Sequence, residues 1–117
     1  MKLQIDSQRL RFRVDEAELA RLLAGESVVD QTRIAASQSV GRRIALGPFA
    51  EVQLTWGEEE IRLDLPQDAV RSYADSLPRR DALSFTLGVG TDAPVLSIDF
   101  EVDVRDSVRQ RGPRKGP

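Results

Sequence analysis

The sequence predicts an α+β fold: a mainly antiparallel, strongly curled sheet or barrel of about eight strands with two short helices. Three observations carry this reading. Apolar and polar residues alternate at period two through most of the chain, the pattern of half-buried strands. Two short segments break that period with helical spacing. Two short helices also cannot cover both faces of so many strands. The sheet must therefore curl into a barrel or sandwich, or pair with another copy, to bury its apolar residues.

Leu3 and Ile5 alternate with Lys2, Gln4 and Asp6; after a turn at Asp6-Ser7-Gln8, Leu10, Phe12 and Val14 alternate with Arg9, Arg11 and Arg13. These runs read as a hairpin with one oily and one basic face. Asp15 suits a helix N-cap, and Glu18 three residues on completes an aspartate version of the capping box. Val14 and Leu19 are placed for a hydrophobic staple, Leu19, Leu22 and Leu23 form the buried stripe, and Gly25 supplies the left-handed exit. Val28 to Ile34 reads as a strand, Ser37-Gln38-Ser39 as a turn, and Arg43 to Leu46 as the partner strand ended by Gly47-Pro48.

In the second half Val52, Leu54 and Trp56 alternate with Glu51, Gln53 and Thr55, and a Gly57-Glu58-Glu59-Glu60 corner follows. Ile61, Leu63 and Leu65 make the return strand. Pro66 suits the first position of a helix burying Ala69, Val70, Tyr73 and Leu77, with Pro78 closing it. Leu83 to Val89 and Leu96 to Val104 form the last two strands. The order strand, strand, helix, strand, strand is thus written twice. A shift of 51 residues places Leu3 on Leu54, Ile5 on Trp56, Leu10 on Ile61, Phe12 on Leu63 and Leu22 on Tyr73. One globular domain over residues 1–104 follows, also readable as two ββαββ pseudo-repeats, 1–47 and 51–104.

The 117 residues include no cysteine and no histidine. Disulfides, thiolate nucleophiles, thiolate or imidazole metal sites and Ser-His-Asp triads are therefore excluded. No carboxylate pair sits in a loop context resembling a glycosidase or aspartic-protease site, so the reading leans away from an enzyme and calls for no cofactor. The amino-terminal strand is interrupted by charge and no apolar run is long enough to span a bilayer, so a soluble cytoplasmic protein without membrane contact is expected.

Net charge is −2, unevenly divided: residues 105–117 hold five bases and one acid out of totals of 17 and 19. With Gly112, Pro113, Gly116 and Pro117 this end reads as a flexible basic tail. It could bind nucleic-acid phosphates weakly and without sequence preference, or lie solvated against the acidic body.

Two charge rows are the candidate sites. Arg9, Arg11 and Arg13 project from one strand face about 6.5–7 Å apart, a ladder of guanidinium forks that could hold an anionic ligand. Asp99, Glu101 and Asp103 repeat the spacing with carboxylates, which could approach a hard cation but point in parallel. The plainer alternative joins the two: if the last strand lies beside the second, the rows form cross-strand ion pairs on the solvent face. Trp56, inward on its strand, is expected in the core; lining a ligand pocket with Phe49 is the alternative.

The opening Met1-Lys2-Leu3-Gln4-Ile5, Leu10-Arg11-Phe12-Arg13-Val14, the Glu18-Leu19 helix with Gly25, and Ile61-Arg62-Leu63 with Pro66 together resemble a family of small uncharacterised bacterial proteins of roughly this length. The resemblance extends over residues 1–100 and implies no known activity or site residue. The functional expectation is a non-catalytic binding or protein-interaction module, with a protein partner or self-association through strand edges or a sheet face. The alternative is a binder of a small anion or of nucleic acid through Arg9, Arg11, Arg13 and the tail.

Overall fold

A computed structural model describes residues 1–104; the basic tail expected at 105–117 lies outside the described residues. The chain forms β1 (Lys2–Asp6), β2 (Arg9–Asp15), α1 (Glu16–Leu23), β3 (Val28–Ala35), β4 (Gln38–Gly47), β5 (Gln53–Trp56), β6 (Glu60–Pro66), α2 (Gln67–Asp75), β7 (Leu83–Leu87) and β8 (Leu96–Asp103). The α+β class and the element order are as expected. The curled sheet or barrel is not: the strands form two separate four-stranded sheets, A (β1-β2-β8-β7) and B (β3-β4-β6-β5). Both are mixed. Chain-adjacent strands pair antiparallel, but the central seams β2–β8 and β4–β6 are parallel.

Closure is unnecessary because the two sheets and both helices share one apolar core. At the seam of sheet A the register stacks Leu10 beside Ile98, Phe12 beside Phe100 and Val14 beside Val102. At the seam of sheet B, Ile44 lies beside Leu63 and Leu46 beside Leu65. Phe12, Val14, Ile98, Phe100, Ile44, Leu63 and Leu65 are fully buried and join Leu22 of α1 and Val70 of α2 in a single cluster. Burying a side chain of this size contributes about 1.5–3 kcal/mol, and a face that has found such cover gains nothing by closing on itself.

The first helix starts as its residues dictate. The Asp15 carboxylate accepts from the Glu18 amide at 2.7 Å and the Glu18 side chain accepts from the Asp15 amide at 3.0 Å, a complete capping box. Gly25 exits at φ +93°, donating its amide to Leu22 O at 3.0 Å, a conformation side-chain-bearing residues avoid. Several boundaries differ from expectation: α2 ends at Asp75, before Leu77, and β7 at Leu87, before Val89. Pro66 is the N-cap of α2, not its first helical residue: it keeps an extended ψ of 121° and closes β6 opposite Gly47. β4 already begins at Gln38, shortening the expected turn to Ala36-Ser37, because pairing with β3 starts at Ala35–Gln38.

Tyr73 seals α2 against sheet A. Its ring meets Phe100 edge-on at 6.2 Å, its hydroxyl donates to Asp81 O at 3.1 Å, and Arg79 covers the ring at 5.4 Å. Burial pushes its phenol above the ordinary tyrosine value. Phe49 is half-buried over Gly47, whose missing side chain makes room: a Cβ there would lie 2.6 Å from the ring. No helix among the described residues is long and apolar enough to cross a membrane.

Candidate functional site

The parallel seam of sheet A decides where the charge rows go. Its register sets Arg11 beside Asp99 and Arg13 beside Glu101 on the outer face. Arg13 Nη2 meets Glu101 Oε1 at 2.6 Å, Arg9 Nη1 donates to Asp99 Oδ2 at 2.6 Å, and Arg11 Nη2 approaches the same oxygen at 3.6 Å. Ser84 Oγ, from β7 on the other side, donates to Asp99 Oδ1 at 2.8 Å. Asp99 is consequently only 2% exposed. Burial works against its charged form, but the hydrogen bonds from Ser84 and Arg9 and the charges of Arg9 and Arg11 outweigh it. The carboxyl is held below its ordinary value.

The three arginines are therefore brought together, but with carboxylates already between them. Their side chains remain 40–47% exposed, although Arg11 Nε is buried without a hydrogen-bond partner. Asp99 and Glu101 are engaged by guanidinium groups. Asp103 stands beside Asp15 in the register. Among the described residues no three acidic side chains form a metal-holding group.

The inner side of the fold holds a feature that strand alternation did not indicate. Between β1 and the inner face of sheet B lies an open groove of about 620 Å³, lined by Leu3, Ile5, Ile34, Val40, Arg42 and Trp56 among others. Trp56 is 66% exposed, Ile34 64% and Ile5 58%. The expectation of a core Trp56 is thus corrected. The residue does point inward, but β5 is an edge strand of four residues and Trp56 is its last, so it stands at the rim. Phe49, the other residue considered for a pocket, does not line this groove.

One polar side chain is anchored in the groove. Arg42 is 14% exposed; Nη2 donates to Asp30 Oδ2 at 3.1 Å and Nη1 to Thr32 Oγ1 at 2.9 Å, both on the neighbouring β3. Its Nε is buried without a hydrogen-bond acceptor. The rest of the lining is mainly apolar, joined by Lys2, Gln4 and Thr32, and it includes β1, whose backbone among the described residues is paired on one side only, with β2.

Ile34 and Ile5 share their alternation with true core positions, so periodicity could not separate them. Both lie towards the ends of edge strands, Ile5 on β1 and Ile34 on β3, where an inward residue finds too few neighbours to be covered. No protein-family model, curated protein or solved structure matches the chain.

Proposed function

We propose that this protein is a non-catalytic protein-interaction module that takes an extended segment of a partner as an added strand on the free edge of β1. Alternate side chains of that segment enter the groove. One observation carries the reading: Ile5, Ile34 and Trp56, three of the large apolar residues left in water, gather on one concavity beside an unpaired strand edge. Strand addition uses both features together, since main-chain hydrogen bonds supply affinity and pockets for alternate side chains supply selectivity. Single exposed apolar residues are ordinary on protein surfaces; a cluster of them is not.

The arginine row is assigned to register and solvation, not to anion binding. What supports this is its existing pairing: a phosphate would have to displace Asp99 or Glu101 from Arg9, Arg11 and Arg13. We also read the two hairpin–helix–hairpin halves as a duplication. The 51-residue shift aligns Ile5 with Trp56, the last apolar residues of edge strands β1 and β5 and both exposed.

Trp56 is the one tryptophan in the chain and reports directly on the groove. Titration with an extended peptide of alternating apolar and polar residues is expected to move its emission to shorter wavelength and to saturate. Constant emission across the titration would sink the reading.

A further inference from the structure

We propose that the strand received by β1 is β1 of a second copy of this chain. The inference rests on the strand-addition reading and names its partner. β1 reads Lys2-Leu3-Gln4-Ile5-Asp6, and its charges are complementary to their own reversal. Two copies placed antiparallel about Gln4 bring Lys2 opposite Asp6 of the second copy, and by symmetry the same pair forms again at the other end. Leu3 then lies opposite Ile5 of the second copy. Opposed residues on neighbouring strands share a face. The apolar inner face therefore continues across the junction, and so does the polar outer face that carries the arginines. Two four-stranded sheets become one of eight strands, Ile5 gains a cross-strand neighbour, and the two grooves open side by side on the same face.

The other edges fit less well. A two-fold axis normal to a sheet can oppose only residues that point the same way, so the two residue numbers must have an even sum. On β3 the attractive match would set Asp30 against Arg33 and Val29 against Ile34, which are residues of opposite faces. No two-fold produces that pairing, and a register shift between Arg33 and Ala35 distorts the strand further. β5 has only four residues. β7, Leu83-Ser84-Phe85-Thr86-Leu87, is symmetric about Phe85 but has no charge to set register, and it shares a cleft of about 470 Å³ with residues 50–52.

Charges on a short edge strand are also a device that prevents pairing. The two roles respond differently to sign. A protective charge works whatever its sign, whereas the β1 junction requires opposite signs at Lys2 and Asp6. Lys2 and Asp6 are both exposed, so reversing them spares the core.

Sedimentation velocity on the full chain over a range of concentrations tests this. The expected result is a dimer for the wild type and association weakened about tenfold or more for Lys2→Asp and for Asp6→Lys, each of which opposes like charges twice. Dimerisation should return in the double variant Lys2→Asp/Asp6→Lys, with circular dichroism confirming the fold of each. In the wild type, amide exchange in β1 should slow as concentration rises. A wild type that stays monomeric, or a dimer indifferent to the single reversals, overturns the proposal. A monomer in which Trp56 still responds to the extended peptide overturns the second copy alone and leaves strand addition standing.

Discussion

Sheets A and B each join two hairpins along a parallel seam, and each buries one aspartate on the outer face of an inner strand: Asp99 on β8 and Asp64 on β6. The surroundings of the two carboxylates differ. Asp99 receives Arg9 and Arg11 from β2 on one side and Ser84 from β7 on the other, so its contacts tie three strands together. Asp64 is held by Arg62, two residues away on its own strand, at 3.1 Å. Its cross-strand neighbours are Gln53 and Ala45. An ion pair along one strand carries no information about register, whereas one across strands does. Sheet A thus has its order written on both faces. At the Asp64 level of sheet B, register rests on the apolar inner face, with Arg43–Glu60 at 3.1 Å nearer the start of β6 as the charged pair across that seam.

The largest effects test what the sheets share. Phe100→Ala in sheet A is expected to cost about 3–5 kcal/mol and Leu63→Ala in sheet B about 2–5 kcal/mol. Both side chains are fully buried in the same cluster. Urea unfolding should remain a single transition in each variant. Two separated transitions would mean that the sheets are stable apart and would break the comparison.

Intermediate effects test where the sheets differ. Asp99→Ala removes the acceptor of two hydrogen bonds, from Arg9 and Ser84, and the ion-pair partner of Arg11, and should cost about 1–3 kcal/mol, toward the lower end because its arginine partners are half in water. Asp64→Ala should cost less than about 1 kcal/mol. Equal losses would remove the distinction. The Asp99 contribution also carries a pH signature. Its folded-state pKa lies below the unfolded one, so its stabilisation is complete above the ordinary aspartate value of about 3.9. It is lost as pH falls through the folded value. The stability gap between wild type and Asp99→Asn should therefore hold from neutral pH to about pH 4 and close below it. Ser84→Ala withdraws one hydrogen bond from the carboxylate and raises the folded pKa, so less stability is lost on acidification and the loss is complete at a higher pH.

Much of this arrangement was legible in the chain. Alternation located β1, β2 and β5 to β8 but left β4 short at Arg43–Leu46, the Asp15–Glu18 spacing placed the start of α1, and the matched spacing of Arg9, Arg11, Arg13 with Asp99, Glu101 described the pairs that the sheet A seam makes. Two things were not legible. Strand order across a parallel seam depends on contacts some 90 residues apart, as in Arg9–Asp99, and local pattern has no access to it. Exposure within an inward face depends on what lies opposite. Leu63 and Trp56 obey the same alternation, yet one sits at the middle of an inner strand and the other at the end of a four-residue edge.

The smallest stability effects belong to that last pair of cases. Trp56→Ser and Ile34→Ser replace side chains that are about two-thirds in water, so each should change unfolding free energy by no more than about 0.5 kcal/mol. Their effect on binding should be far larger, because the same atoms form the rim of the groove. Binding of the extended peptide, followed by calorimetry since the fluorophore is lost in one variant, should weaken in both while the midpoint in urea hardly moves. The polar outer face supplies the contrast. Arg13→Ser breaks the 2.6 Å pair with Glu101 and should lower stability at the sheet A seam while leaving the peptide affinity unchanged. Stability and recognition would then be assigned to different places, the outer face of sheet A and the groove between β1 and sheet B. A variant that loses both together, at Trp56 or at Arg13, would show that the two faces are not independent.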